Sequence, residues 1–259
     1  MSKRKRIFGT VSIAIAVCAV YLWFFGPQTF FLVNSRKIGR RVPIVNSVPV
    51  ELQDLSISNV PGKKLSSMGV EFEVPWNDVD EKNSRIVGGW ALIRFRSGNS
   101  IILCVTSPKG FISAMFRDKI AGPELFRGLY GPDVLRSDYA LKNAIYETTP
   151  SDITLLTPTN RAAGFHSILV MKALMPPTTD WAIYRIETAS LRGFQLGDPI
   201  RRPKKMSVEL YGEDVGMEFN FDQLESGPTP AITQPELNRI IQTAHAIANA
   251  KPVLAVSPG

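Results

Sequence analysis

Histidine and cysteine are scarce in this chain of 259 residues, which contains two of each. His166 and His245 lie in separate segments, and neither has a second histidine, a cysteine or an acidic residue at the spacing of metal ligands. We therefore predict no metal site and no catalytic triad built on histidine.

Sequence motifs of the common enzyme classes are missing as well. The chain has no Gly-x-Ser-x-Gly motif, no glycine-rich phosphate loop that ends in lysine, and no Gly-x-Gly-x-x-Gly motif. These motifs position nucleophiles, phosphates and dinucleotides in many enzymes. We therefore predict no catalytic residue and no cofactor, and we favour a protein that is not an enzyme.

Disulfides are excluded from the main part of the chain, because Cys104 is the only cysteine after Cys18. Cys104 lies in the apolar run Ile101–Val105, where cysteine serves as a small hydrophobic residue. A domain of roughly 200 residues buries enough surface to be stable without disulfides. Cysteine usage is therefore compatible with an exported domain.

Positive charge is in excess, with a formal net charge of +7, but the excess is confined to the N-terminal segment. Residues 1–41 contain eight Lys and Arg and no Asp or Glu, which leaves 22 basic and 23 acidic residues from Val42 onward. Nucleic-acid-binding proteins concentrate positive charge on one face, because affinity comes largely from neutralised phosphates. We predict no nucleic-acid binding, and we interpret the basic run Arg201–Lys205 as a solvated loop.

The segment Ile7–Phe25 has 19 residues without a single charge and follows a basic head at residues 1–6. A helix of this length rises roughly 28 Å, about the thickness of the hydrocarbon core of a bilayer. Tyr21 and Trp23 lie near its far end, where such rings suit the headgroup boundary, and Gly26-Pro27 predicts the end of the helix. The sequence therefore predicts a single transmembrane helix at 7–25.

Two other interpretations of this segment were weighed. Cleavage after Ala19 would make it a signal peptide, but the mature chain would then begin with an apolar run at Val20. Lipidation of Cys18 fits the preceding Ile15 and Ala16, but Val17 departs from the small residue expected there. We favour an uncleaved anchor.

The orientation rests on a small charge bias, because the basic residues at 36–41 nearly balance those at 1–6. The short head and the aromatic rings favour a cytoplasmic head and an extracytoplasmic domain at the plasma (inner) membrane. The basic residues at 36–41 either contact anionic lipid headgroups or keep a stalk solvated. We favour the solvated stalk.

The remainder divides into a stalk at 26–47, a domain at 48–250 and a disordered tail at 251–259. Strand patterns occupy 50–58, 69–76, 86–96, 99–106, 181–188, 191–196, 206–211 and 217–221. Ser97-Gly98 predicts a hairpin between two of these strands. Glu209 and Glu218 alternate with apolar neighbours, which predicts a sheet with one solvated face.

Helical spacing of apolar residues occupies 123–130, 137–147, 159–175 and 233–249. Ser137 is a predicted N-cap, and Thr233 with Glu236 has the pattern of a capping box. Pro176-Pro177 predicts the end of the longest helix.

The order of strands, helices, strands and a closing helix predicts an α+β domain with an antiparallel sheet covered by helices. The strand sequence of residues 70–76, together with the closing helix, resembles the small exported domains of the PsbP and Mog1 kind. This resemblance implies a PsbP/Mog1-like sandwich and carries no functional motif.

Two enzyme interpretations were weighed against this background. Ser66-Ser67-Met68 is similar to the nucleophile motif of membrane-anchored signal peptidases, but no segment with the activating lysine is found. Asp78, Asp80 and Asp198 would provide paired acids for a hydrolase if the fold brought them together. Aspartates in loops more often cap turns.

We conclude from the sequence that this is a single-pass, membrane-anchored protein, most consistent with a non-enzymatic interaction or accessory module of the cell envelope. Its predicted partners are the membrane, through residues 7–25, and an envelope protein. The alternative is a membrane-anchored extracytoplasmic hydrolase. The sequence does not indicate the oligomeric state.

Overall fold

The structure is a computed structural model. It describes residues 25–59, 61–117, 122–175, 181–201, 205–222, 232–247 and 255–256. The predicted transmembrane segment 7–25 lies outside the described residues except for Phe25, as does most of the predicted tail. Among the residues that are described, no helix combines the length and apolarity needed to cross a bilayer. The transmembrane helix stays a prediction.

The described chain has an α+β fold with six helices. The helices are α1 (residues 25–41), α2 (Gly110–Arg117), α3 (Pro123–Tyr130), α4 (Asp138–Glu147), α5 (Thr159–Leu174) and α6 (Gln234–Thr243). Short 3-10 turns occupy Pro43–Asn46, Pro132–Leu135, Pro150–Asp152 and Pro199–Arg201.

Twelve strands form two sheets in the described chain. The first six are β1 (Val50–Glu51), β2 (Lys63–Ser67), β3 (Val70–Val74), β4 (Arg85–Val87), β5 (Trp90–Arg94) and β6 (Ser100–Thr106). The other six are β7 (Ile183–Glu187), β8 (Arg192–Leu196), β9 (Lys205–Tyr211), β10 (Gly216–Asp222), β11 (His245–Ala246) and β12 (Ala255–Val256).

The large sheet has eight strands in the order β1-β7-β8-β9-β10-β6-β5-β4. Only β1 pairs in parallel, with β7, so the sheet is mixed rather than purely antiparallel. The hairpin predicted around Ser97-Gly98 is confirmed, because β5 and β6 pair antiparallel on either side of it. The small sheet has the order β11-β3-β2-β12 and is antiparallel.

One face of the large sheet packs against the small sheet and α6 through apolar side chains. Phe72 of β3 and Phe219 of β10 are fully buried there, with an edge-to-face contact at 5.0 Å between ring centroids. From α6, Leu237, Ile240 and Ile241 join the same cluster. This layer is the main hydrophobic core of the protein.

The opposite face of the large sheet packs against α4, with α5 and α2 behind and beside it. Phe194 of β8 contacts the rings of Tyr139 and Tyr146 from α4. Glu209, which the alternating pattern predicts on a solvated face, is only 4% exposed on this side. That prediction is wrong at Glu209, because α4 covers the strand and supplies a partner for the carboxylate.

The segment predicted to be a stalk contains α1, which continues through Gly26 and Pro27 and packs against the domain. Phe31, Leu32 and Ile38 contact the cluster formed with α5 and β8. Ser35 is fully buried, and its hydroxyl lies 2.8 Å from Nδ1 of His166 on α5. Residues at this spacing share one face of a helix, which explains why the segment is helical and attached.

Lys172 of α5 fixes the chain just after α1 to the rest of the domain. Its fully buried Nζ donates to the carbonyl oxygens of Ser47 at 2.6 Å, Tyr146 at 2.5 Å and Thr148 at 2.8 Å. Burial lowers the pKa of Lys172 to about 7, and the nearby carboxylate of Asp152 opposes this shift. The lysine thus joins three segments through backbone acceptors.

Candidate functional site

An open cleft with a volume of about 1030 Å³ lies where the N-terminus of α4 meets one end of the large sheet. The loops 188–191 and 212–215 form one side, and the turn Pro132–Leu135 forms the other. This volume is at the upper end of the range for ligand pockets in proteins. The cleft is therefore our candidate binding site.

Local capping positions the start of α4 at the cleft. The hydroxyl of Ser137 accepts a hydrogen bond from the amide of Ala140 at 3.1 Å, which confirms the predicted N-cap. The carboxylate of Asp138, only 4% exposed, accepts from the amides of Phe111 at 2.9 Å and Ile112 at 3.0 Å. Asp138 therefore caps α2 from α4 and holds the two helices together.

Aromatic rings form the floor of the cleft. Tyr139 stacks on Phe194 with ring centroids 5.1 Å apart and an interplanar angle of 13°. The ring of Tyr211 lies 6.5 Å from that of Tyr139. Burial raises the pKa of Tyr139, so its hydroxyl stays protonated near neutral pH. The floor thus offers an aromatic surface and a phenol donor.

A buried ion pair lies beneath this floor. Nζ of Lys142 on α4 is 2.6 Å from Oε1 of Glu209 on β9, and both side chains are less than a tenth exposed. The hydroxyls of Tyr146 and Tyr211 also donate to Glu209, at 3.2 Å each to the nearer oxygen. Because three donors surround one carboxylate, the network is well satisfied.

The pKa values in this network are shifted chiefly by burial. Burial raises the pKa of Glu209, while the neighbouring Lys142 lowers it. Burial and the carboxylate of Glu209 hold the pKa values of Tyr146 and Tyr211 well above their ordinary range. Shifted pKa values near a cleft are typical of functional sites, but structural ion pairs produce the same shifts.

Several polar groups on the cleft wall are already engaged in holding the fold. Asn143 and Glu147 line the cleft, and both contact Arg185 of β7. Nε of Arg185 donates to Oδ1 of Asn143 at 3.0 Å, and the guanidinium pairs with Glu147, which joins β7 to α4. Glu187 pairs with Arg192 at 2.9 Å. These side chains stabilise the wall and are poorly placed to exchange protons with a substrate.

Four other charged side chains at the cleft are exposed and surround the aromatic floor. They are Lys109, Arg136, Asp133 and Glu213. Within the described part of the chain, none of the four forms an ion pair with another residue. Two cations and two anions are therefore available to a ligand that carries both signs of charge.

The three aspartates weighed for a hydrolase are not brought together. Asp78 accepts from the amide of Ser97 at 2.6 Å, beside the β5–β6 hairpin. Asp80 accepts from the side-chain amide of Asn83, and Asp198 accepts from the backbone amide of Ile200. Four strand spacings separate β5 from β8, which corresponds to roughly 19 Å. Each aspartate stabilises a turn.

The serine motif weighed for a peptidase is part of a hairpin. Ser66 and Ser67 end β2, and Met68 and Gly69 have the positive φ values, 54° and 81°, of a tight turn into β3. Ser67 is fully buried. Since a buried strand residue cannot meet a substrate, this segment does not resemble a peptidase site in three dimensions.

The histidines and Cys104 lie away from the cleft. His166 is half-buried between α1 and α5, and exposed His245 contacts Glu71 at 3.3 Å. Cys104 is half-buried on β6, where burial and the nearby Glu218 raise the pKa of its thiol. In the described residues, no group of three or more histidines, cysteines and acids is placed to hold a metal ion.

The cleft was not predicted from the sequence, although one signal for the buried pair was present. Lys142 follows Leu141 and precedes Ile145 and Tyr146, all on the buried side of α4. Glu209 likewise lies between buried Val208 and Leu210 on β9. A basic residue in one apolar segment and an acidic residue in another are a pattern that indicates a buried ion pair.

Comparison of the chain with protein-family models, with curated proteins and with solved structures finds no match.

Proposed function

We propose that this protein is a membrane-anchored, non-enzymatic binding module of the cell envelope. Residues 7–25 anchor the chain in the plasma (inner) membrane, and the domain is extracytoplasmic. The α4 cleft binds a polar segment of a partner protein that carries both positive and negative charge. The uncharged run of 19 residues supports the anchor.

The observation that carries the binding role is the arrangement of charges around the cleft. Four exposed charged side chains line the cleft together with Tyr139. Two are cations, Lys109 and Arg136, and two are anions, Asp133 and Glu213. A peptide segment presents backbone donors and acceptors, charged side chains and apolar surface, which these groups complement.

The rival proposal is a membrane-anchored hydrolase. Catalysis needs a nucleophile or a general acid–base pair within hydrogen-bonding reach of a substrate. Asp138 at this cleft and Glu209 beneath it are buried and accept hydrogen bonds from α2, Lys142 and two tyrosines. Asp133 and Glu213 are exposed at the cleft, but among the described residues no side chain forms a hydrogen bond or ion pair with either carboxylate that could activate it. This arrangement favours binding over hydrolysis.

Photocrosslinking tests the binding role in intact cells. A photoreactive amino acid replaces Ser190, an exposed residue on the cleft rim, in the full-length chain. We expect an adduct of defined mass with one envelope protein. Charge reversal at the opposite side of the cleft, Arg136→Glu, should abolish the adduct while the protein remains at its normal level.

The matched control places the same photoreactive residue at Val87, which is 44% exposed at the end of β4. No adduct with the same protein is expected there. Equal crosslinking from both positions, or an adduct that survives Arg136→Glu, would contradict binding in the cleft.

Protease treatment tests the proposed localisation separately. Protease added to spheroplasts should digest the domain and leave a small membrane-bound fragment whose N-terminus is Met1 or Ser2. Digestion only after lysis would place the domain in the cytoplasm. A mature protein that begins at Val20 would show that the apolar segment is a signal peptide.

A further inference from the structure

We propose that the outer face of α1 lies along the surface of the membrane and contacts the phosphodiester headgroups of anionic lipids. This inference rests on the proposed membrane anchor at residues 7–25. It concerns a surface on the opposite side of α1 from the residues that pack against the domain.

The two faces of α1 have different compositions. Phe31, Ser35 and Ile38 face the domain. Phe30 is 60% exposed and Val33 is 54% exposed, and they lie on the other face. Lys37 and Arg40 continue this outer face at helical spacing, with Arg36 and Arg41 beside them, and all four are exposed.

The order of residues along the outer face matches the layers of a bilayer surface. Phe30 and Val33 come first, close in sequence to the predicted transmembrane segment, which ends at Phe25. The four basic residues at 36–41 follow, and residues 25–41 contain no acidic side chain. Apolar residues next to clustered basic residues are the pattern of a helix that rests on anionic lipid.

The orientation of α1 decides whether these basic residues reach the headgroups. A helix perpendicular to the bilayer would place Val33 about 12 Å beyond Phe25 and Arg41 about 24 Å beyond it. The headgroup layer on each side is only about 5–8 Å thick. The basic residues therefore contact lipid only if α1 lies along the surface.

The neighbouring helix also exposes apolar side chains. On α5, against which α1 packs, Val170 is 39% exposed and Leu174 is 80% exposed. The carbonyl acceptors of Lys172 and the contact between Ser35 and His166 hold α1 and the segment after it against the domain. Contact of α1 with the bilayer therefore also sets the orientation of the domain and its cleft.

Spin labelling of the full-length chain tests this surface. Cys18 and Cys104 are replaced by alanine, and a nitroxide is attached at Val33→Cys or, as a control, at Val87→Cys. The protein is reconstituted in vesicles of phosphatidylcholine with phosphatidylglycerol. Collisions with lipid-soluble oxygen should dominate at position 33, and collisions with a water-soluble nickel complex should dominate at position 87.

Charge reversal tests the role of the headgroups. Arg36→Glu with Arg40→Glu removes two cations, which should weaken association with the anionic surface roughly thirtyfold or more. Position 33 should then become accessible to the nickel complex while the chain still floats with the vesicles. The matched control, Arg85→Glu with Arg94→Glu on exposed positions of β4 and β5, should leave position 33 in contact with lipid.

Three outcomes would overturn the inference. A floating chain in which position 33 is as accessible to nickel as position 87 would show that α1 stands away from the bilayer. Spin–spin broadening at position 33 would assign this face to a second copy of the chain. A chain that does not float at all would overturn the anchor as well, so failure of the anchor and failure of the surface contact are distinguishable.

Discussion

The two faces of the large sheet are built in contrasting ways. Along β9, Met206 and Val208 point to the small sheet and are enclosed by apolar side chains. Glu209 and Tyr211, on the same strand, point to α4 and belong to a hydrogen-bonded network. One face of the sheet is therefore held by apolar burial, and the other by specific polar contacts.

In our proposal, this difference separates the face that stabilises the fold from the face that binds a partner. Apolar packing depends on volume and tolerates exchange of similar side chains. A buried ion pair adds little net stability, but either charge is costly to bury without the other. The pair between Lys142 and Glu209 therefore fixes the position of α4 on the sheet. The cleft with its exposed charges lies on the polar side of the sheet. Because Tyr139 belongs to α4, the position of α4 on the sheet determines where Tyr139 lies in the cleft.

The largest effect is expected on the apolar face. Phe219→Ala removes a fully buried ring that contacts Phe72, and should lower the free energy of unfolding by about 3–5 kcal/mol. Urea unfolding measures the change, with an unchanged m-value as the sign of an unaltered native state. A loss below about 1 kcal/mol would mean that the two sheets do not share a packed core.

On the polar face, removing one charge should cost nearly as much. Lys142→Met leaves Glu209 buried without its cation and should lower the free energy of unfolding by about 3 kcal/mol at neutral pH. The matched double variant, Lys142→Met with Glu209→Gln, keeps an acceptor for both tyrosines and should recover most of this loss. Equal losses in the single and double variants would argue against the ion pair.

The deficit of Lys142→Met should also depend on pH. Burial raises the pKa of Glu209 in the folded protein above its ordinary value of 4.5, and Lys142 opposes this rise. Lys142→Met should therefore raise the folded-state pKa of Glu209 further, so the folded variant holds the proton more tightly than the wild-type protein does. Stability linked to this group is therefore present below pH 4.5 and is lost as the pH rises through the folded-state pKa. Thermal unfolding from pH 4 to pH 8 should show the deficit growing with pH.

A smaller effect is expected where α1 meets α5. Burial lowers the pKa of His166 from its ordinary value of 6.5, so the unfolded state binds the proton more tightly. Stability linked to His166 is therefore full above pH 6.5 and falls as the pH drops through the folded-state pKa. Below pH 6.5, His166→Gln should reduce the dependence of the free energy of unfolding on pH, as measured by urea unfolding. An unchanged dependence would mean that other groups cause it.

The smallest effect is expected at Cys104. The apolar run around it predicts a buried thiol, and a serine there would then leave a costly unpaired hydroxyl. The side chain is half-buried beside Trp90 and Glu218, its partners in neighbouring strands, so a serine hydroxyl can donate to the carboxylate or to water. Cys104→Ser should therefore change the free energy of unfolding by less than about 1 kcal/mol in urea unfolding. A loss of about 3 kcal/mol would indicate full burial.

Local sequence signals predicted much of the fold. The residues that begin and end α3 match the predicted segment 123–130, and α4 begins directly after the predicted cap Ser137. The capping box of Thr233 and Glu236 is also confirmed at the start of α6. In each case the signal lies within the element itself, so no knowledge of the tertiary structure was needed.

Elements that depend on distant partners were missed or misplaced. α2 has no cap of its own, because Asp138, more than 25 residues later, accepts from its first amides. In the predicted strand 50–58 only Val50–Glu51 pairs, since the side chain of Asn238 binds the carbonyls of Asp54 and Ser56. The predicted closing helix ends early at Thr243, because His245–Ala246 pairs with β3.

The cleft depends on tertiary structure to a still greater extent. Tyr139 and Tyr211 lie more than 70 residues apart in sequence. Only the packing of α4 against β9 brings their rings together at the floor of the cleft. A tyrosine on a helix and a tyrosine at the end of a strand are each ordinary in isolation. No local pattern distinguishes them from other partly buried aromatics.

We propose that the polar side of the sheet binds a partner while the apolar side maintains stability. The most direct test measures the crosslinking yield from position 190 and the free energy of unfolding in the same two variants, Arg136→Glu and Phe219→Leu. We expect Arg136→Glu to lose the adduct with stability unchanged within about 0.5 kcal/mol, and Phe219→Leu to lose stability yet retain the adduct while folded. An adduct that persists in Arg136→Glu and disappears in folded Phe219→Leu would contradict the account.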